Sequence, residues 1–177
     1  MTQVNIHIMI SNETFDQVME TLNDKLTDSR LAKLNAIVLL SLRKKGRGVG
    51  HTPLSQEKFN EVVNFAMSKS VPIGFDSCSA MKFLKAIENH PNKVQLEQMV
   101  EPCESSCFSS YINVDGKYFP CSFMEDSHPE WKDEMGLDVV NCKDFLTDIW
   151  NSVKNEDFRR KVINCRDKNI SCNFFKV

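Results

Sequence analysis

The side chains best equipped for chemistry in this chain are its thiols. Cys103 and Cys107 form a C-x3-C pair, and Cys121 follows the run Tyr111-Ile112-Asn113-Val114-Asp115-Gly116-Lys117-Tyr118-Phe119-Pro120. Asp115-Gly116 between alternating apolar residues predicts a tight hairpin turn, which brings Cys121 back toward the first pair. Three converging thiolates suit a soft metal. Cys165 and Cys172 lie in a second loop, spaced C-x6-C, beyond a helical span. A pair of thiols before that span and a pair after it would close a metal site over a long loop and add stability to an irregular domain. Zinc and iron–sulfur clusters both accept four thiolates. Neither spacing is the CxxC knuckle of a zinc ribbon, so spacing leaves both metals open with a slight lean to a cluster.

The seven cysteines (78, 103, 107, 121, 142, 165 and 172) are an odd number for disulfides, and a reducing cytosol disfavours such pairing. Cys142 taken alone reads as a small buried hydrophobe. A composition of 41% hydrophobic and 26% charged residues is that of a soluble globular chain. The net charge of -2 gives no reason to expect nucleic acid or an anionic membrane. The longest apolar run, 36–42, is too short to span a bilayer, and the first residues lack the basic-then-apolar layout of a secretory leader. A cytoplasmic location is expected.

The elements that must position these residues fall into two parts, 1–100 and 101–177. Val4, Ile6, Ile8 and Ile10 alternate on one face of a first strand, with Asn5, His7 and Met9 on the other. Ser11 is expected to cap a helix carrying Phe15, Val18, Met19, Leu22 and Leu26. The apolar run 36–42 predicts a second strand buried on both faces, as in a parallel sheet. Ser55 opens a helix with Phe59, Val62, Val63, Ala66 and Met67 on one stripe, and a third strand runs over 72–75. This β-α-β-α-β rhythm is that of parallel α/β units. Three such strands do not close a barrel, and the first would leave an exposed edge for a partner chain or a missing half. Ligands of such folds sit at the carboxyl ends of strands, here Ser11, the glycine-rich basic loop 43–50 with Arg47, and Asp76-Ser77-Cys78. Cys78 reads as a reactive thiol, a ligand or a core cysteine. Beyond the thiols, 124–136 reads as a polar surface loop, and 143–154 as a helix with Phe145, Ile149, Trp150 and Val153 on one side. Phe158 and Val162 continue that pattern.

The second part resembles the SPASM or twitch extension of radical S-adenosylmethionine enzymes. The resemblance rests on the C-x12-G-x4-C pattern of Cys103, Gly116 and Cys121, on Phe145-Leu146-Thr147-Asp148-Ile149-Trp150-Asn151-Ser152, on Phe158-Arg159, and on Cys165 and Cys172. The first part is similar to the last β/α units of the partial (β/α)6 barrel that precedes such an extension. The fold so implied is α/β: half of that barrel, with three parallel strands, followed by a small cysteine-rich α+β domain. The resemblance implies one auxiliary 4Fe–4S cluster, with Cys103, Cys107 and Cys121 as ligands and Cys172 or Cys165 as the fourth. It implies S-adenosylmethionine only when a separate N-terminal half completes the site, with Ser11 and Arg47 as positional candidates for that cofactor, and a peptide as one kind of substrate. The sequence departs from the family where it matters most. The CxxxCxxC motif that holds the reactive cluster is absent, because the position after Cys107 that it requires is Ser110. The chain is therefore not expected to be an active enzyme alone. A zinc-stabilised binding module without catalysis, or a truncated remnant with buried thiols, are the alternatives.

Overall fold

The computed structural model describes residues 3–167, with side chains through 164. The chain divides into two compact units, Met1–Glu101 and Pro102–Val177.

In the first unit, strand β1 (Asn5–Ile10), strand β2 (Ala36–Ser41) and strand β3 (Ile73–Phe75) form a parallel sheet in the order β1-β2-β3. The register places Ile6 beside Ile37 and Ile8 beside Leu39. Helix α1 (Phe15–Thr27) joins the first two strands and helix α2 (Gln56–Ser68) the second two. Helices α3 (Ala80–Ala86) and α4 (Lys93–Glu97) follow β3. Val18 and Leu22 of α1, Phe59, Val62, Val63 and Ala66 of α2, and Phe83 of α3 share one core with Ile10, Ile37 and Leu39. The helices thus cover a single face of the sheet. On the other face Asn5, His7 and Met9 are exposed, and Val38 and Leu40 are only half-buried. That corrects the expectation of a β2 buried on both faces. Its apolar run is continuous, but only the residues facing the helices leave water completely.

Two local expectations are refined. Ser55 does cap α2, its hydroxyl accepting the Lys58 N–H at 3.3 Å. Ser11 instead pairs with Thr14, the residue before α1. The Ser11 N–H donates to Thr14 Oγ1 at 2.9 Å, and the Thr14 N–H donates to Ser11 Oγ at 3.2 Å. Leu26, placed on the apolar stripe by its spacing, is exposed, while Val18 and Leu22 of the same stripe are buried.

In the second unit, strands β4 (Tyr111–Ile112), β5 (Lys117–Phe119) and β6 (Leu137–Asp138) form an antiparallel sheet. The β4–β5 hairpin turns through 113–116. Asn113 Oδ1 accepts the N–H groups of Asp115 and Lys117 at 3.0 and 2.9 Å, and Gly116 takes a φ of 72°. A left-handed turn position of that kind is inexpensive only for glycine. A π-helical segment, Phe145–Trp150, precedes helix α5 (Val153–Asp167). Its Asn151 N–H reaches back to the Leu146 carbonyl at 2.8 Å, the five-residue step of a π turn.

The surface-loop reading of 124–136 is overturned. Met124 and Trp131 are buried in the second core with Tyr118, Phe119, Ile149, Phe158 and Val162. Trp131 is 1% exposed, its ring 6.3 Å from that of Phe119 and 6.2 Å from that of Phe158. The single helix expected over 143–154 is instead the π-helical segment Phe145–Trp150 and the start of α5 at Val153, so Val153, expected on one side with Ile149, is exposed while Ile149 is buried. Among the described residues no helix is long and apolar enough to cross a membrane.

Candidate metal centre

The C-x3-C loop is wound around one acceptor. The Glu104 carbonyl receives the N–H groups of Cys107 and Phe108, both at 2.9 Å, and of Ser109 at 3.3 Å. Ser106, between the two thiols, has a φ of 57°, a left-handed conformation that costs a non-glycine residue about 1–2 kcal/mol. Its N–H returns to the Ser109 carbonyl at 2.8 Å. The Cys103 thiol donates to Ser105 Oγ at 3.3 Å. At the end of β5 the chain turns again, the Met124 N–H donating to the Cys121 carbonyl at 3.0 Å. In that turn the Phe123 N–H donates to Cys121 Sγ at 3.3 Å. An N–H aimed at sulfur stabilises the thiolate, the form that binds metal.

All three thiols are half-buried. Cys103 and Cys121 border the second core, and so does Cys142, whose thiol donates to the Val139 carbonyl at 3.2 Å. Sequence reasoning set Cys142 apart from the others; β6 is what carries it to the same core, and a two-residue strand leaves little trace in sequence. Among the described residues, no group of three or more His, Cys, Asp or Glu side chains is already arranged to hold a metal ion. Cys172 lies outside the described residues. Cys165 belongs to α5, but its side chain lies outside the described part. The chemistry of the donor set fits an iron–sulfur cluster: soft thiols, partial burial against an aromatic core, and a backbone N–H aimed at one sulfur.

Beneath the loop lies a buried polar network that sequence reasoning missed. Ser106, Tyr118 and Asn155 are all within the second unit's interior. The Ser106 hydroxyl donates to Asn155 Oδ1 at 2.5 Å. Its one proton being used there, the Tyr118 hydroxyl, 3.1 Å away, is the donor to Ser106 Oγ. Arg159 Nε donates to the Ser106 carbonyl at 2.7 Å, and its Nη2 to the Trp150 carbonyl at 2.9 Å. Asn155 Nδ2 donates to the same Trp150 carbonyl at 2.9 Å, while the guanidinium stands 5.0 Å from the Trp150 ring centre. Burial pushes the Tyr118 phenol above its ordinary value, against the downward pull of its hydrogen bonds and of Arg159. The available signal was the phrase Phe158-Arg159: an arginine directly after a buried aromatic, on the helix that closes the unit.

The strand-end candidates belong to the first unit. Ser11 is buried and engaged with Thr14. Arg47 is exposed on a tight turn over Gly46–Gly50. Gly48 in that turn has a packing role, since a Cβ there would lie 2.4 Å from the Arg43 carbonyl oxygen. At the ends of β2 and β3, the Asp76 carboxylate accepts the Ser41 N–H at 3.0 Å, the Ser79 N–H at 3.0 Å and the Ser79 hydroxyl at 2.6 Å. Cys78 is half-buried, and its carbonyl accepts Arg43 Nη2 at 3.4 Å. These bonds tie the strand ends together.

Comparison with known proteins bears on the second unit. Residues 103–173 match the SPASM family, an iron-sulfur cluster-binding domain. The matched span opens on Cys103 and runs past Cys172, so every thiol of the candidate centre falls inside it. The SPASM match supports the C-terminal part of the resemblance, and with it iron–sulfur binding; it does not extend to the first unit. No curated protein and no solved structure matches the chain.

Proposed function

We propose that the second unit binds one auxiliary 4Fe–4S cluster through Cys103, Cys107 and Cys121, with Cys172 or Cys165 as the fourth ligand. In this reading the chain supports radical modification of a peptide or other substrate, in the cytoplasm, together with a CxxxCxxC-bearing half supplied by another chain. The observation that carries the reading is the SPASM match over 103–173. The N–H to sulfur bond at Cys121 supports it. The cluster, when bound, would supply electron transfer or a substrate anchor. This chain's own residues supply thiolates, partial burial and the hydrogen bond to sulfur, the factors through which a protein tunes such a centre.

The parallel sheet supports the second element of the proposal. Its uncovered face carries Asn5, His7 and Met9, and β1 is an edge strand with a partner on one side only. Among the described residues the sheet is open on one face and at both its edge strands, β1 and β3, and such a sheet is completed by another chain or another β/α half. Ser11 and Arg47 stand at the strand ends where S-adenosylmethionine would then bind.

The test is the iron, sulfide and zinc content of anaerobically purified protein, with Cys121→Ala beside it. About four irons with matching sulfide, lost in the variant, support the proposal. Stoichiometric zinc with no iron overturns it in favour of a zinc-stabilised binding module, and unchanged iron in Cys121→Ala overturns the ligand assignment.

A further inference from the structure

We infer that Arg159 is a positioning residue for the cluster's ligand loop. It acts through the Ser106 carbonyl and is backed by Asn155 and Tyr118. The inference rests on the cluster reading above and adds to it a device that no ligand assignment contains.

Ser106 directly precedes Cys107 in the loop from Cys103 and has a φ of 57°. An L-residue keeps such a conformation only where the surroundings over-determine it. Here three ties do so from outside the loop. The Ser106 side chain is bound by Asn155 and by Tyr118, and its carbonyl by Arg159. Two of the three anchors, Asn155 and Arg159, project from one helix, α5, four residues apart and therefore on the same face. Both also bind the Trp150 carbonyl, at the end of the π-helical segment. That carbonyl is left over by the switch from π to α helix, and such orphan acceptors must find donors. The switch, the helix and the strained turn are thereby locked to one another.

The consequence is geometric. Release of Ser106 into the right-handed region would rotate the peptide that carries Cys107 and change its placement relative to Cys103. Arg159 is the member of the set that a smaller or differently shaped side chain cannot imitate. Its fork binds two carbonyls on two elements and its guanidinium carbon lies 5.0 Å from the Trp150 ring centre, an arrangement that a lysine ammonium does not reproduce. Its fixed positive charge also lies beside the ligand loop. Nearby positive charge favours the cluster state that has gained an electron.

The experiment compares the full chain with Arg159→Gln, Arg159→Lys and the surface control Arg160→Gln, whose side chain is 68% exposed and paired with Glu156. Each is purified anaerobically. Iron release to a chelator, the cluster's reduction potential by redox titration, and its electron paramagnetic resonance signal when reduced are then recorded. Iron release should be about 10- to 100-fold faster in Arg159→Gln, the usual cost of losing a residue that orients a metal ligand, and the potential should become more negative. Arg159→Lys, which keeps the charge and loses the fork, should release iron faster than wild type with a potential nearer to it. Arg160→Gln should match wild type in all three. Wild-type release, potential and resonance signal in both Arg159 variants would overturn the inference while leaving the cluster reading intact. If Arg159→Gln does not fold, Arg159→Lys decides alone, and wild-type iron release in it overturns the inference. A wild-type protein that holds no iron overturns the cluster reading itself and this inference with it.

Discussion

Trp131→Ala is the perturbation whose outcome depends most on the tertiary structure. The residue sits in a stretch rich in charged residues and carries no helical or strand periodicity, so a surface-loop reading predicts a change within about 0.5 kcal/mol. The structure predicts otherwise. The indole is 1% exposed and stands edge-on to Phe158 and tilted against Phe119, with Lys154 Nζ 4.1 Å from its ring centre. Truncation of a buried Trp to Ala costs about 3–5 kcal/mol, and loss of the lysine contact adds about 0.5–1 kcal/mol. For a small unit with a urea slope near 1 kcal/mol/M, the midpoint of the second unit's transition would fall by about 3.5–6 M. Trp150 is the second of the chain's 2 tryptophans, and it also lies in that unit. It therefore remains as a fluorescence reporter in the variant. Urea titrations of both proteins, followed by Trp150 emission in the variant and by far-ultraviolet circular dichroism in both, make the comparison. A Trp131→Phe control keeps a ring in the site and should lose less than half as much. A midpoint in Trp131→Ala within about 0.5 M of wild type would refute the burial argument and with it the placement of 124–136 in the core.

Three further outcomes are expected. Gly48→Ala should destabilise the first unit by more than about 1 kcal/mol, since the new methyl would meet the Arg43 carbonyl oxygen at 2.4 Å. Gly50→Ala, where a Cβ meets nothing within 4 Å, should be near neutral in the same thermal melt. The Glu13 carboxyl is lowered from 4.5 to about 2, first by its own backbone N–H and then by Ser11 and the Thr52 N–H. Because the folded value is depressed, its contribution is complete above about pH 4.5 and is lost as pH falls toward about 2. The stability difference between wild type and Glu13→Gln, measured by urea midpoints across that range, should shrink in step; a difference that stays constant would remove the carboxylate's role. Cys142→Ala should keep its iron and lose about 1 kcal/mol, because the thiol packs on the second core and its bond is to the Val139 carbonyl. Loss of iron in that variant would make Cys142 a ligand.

The parallel units were legible in the sequence because their signals are local. Period-two alternation in β1, helical spacing in α1 and α2 and the Ser55 cap each lie within a few consecutive residues, where backbone sterics and short-range hydrogen bonds decide the outcome. The same holds for the hairpin, where Asn113 and Gly116 carry the turn themselves, and for the thiol spacing that marked the candidate centre. Ser11 was placed at the right corner but with the wrong partner, since its pairing with Thr14 depends on the path the chain takes out of β1. Which strand residues are fully buried was not local either. β2 is apolar throughout, but whether Val38 and Leu40 are covered depends on how many helices pack and on which side. Trp131 shows the same limit, for only the meeting of β5, the 124–136 segment and α5 makes its surroundings apolar. The network under the C-x3-C loop lies furthest from sequence. Ser106 finds its partners 49 and 53 residues away, so the composition around Ser106 cannot announce them. The sequence by itself determined the β/α elements of the first unit, the hairpin of the second and the supply of thiols. The tertiary structure decided what those elements enclose and which residues hold the C-x3-C loop, because burial and long-range hydrogen bonds are properties of surfaces brought together.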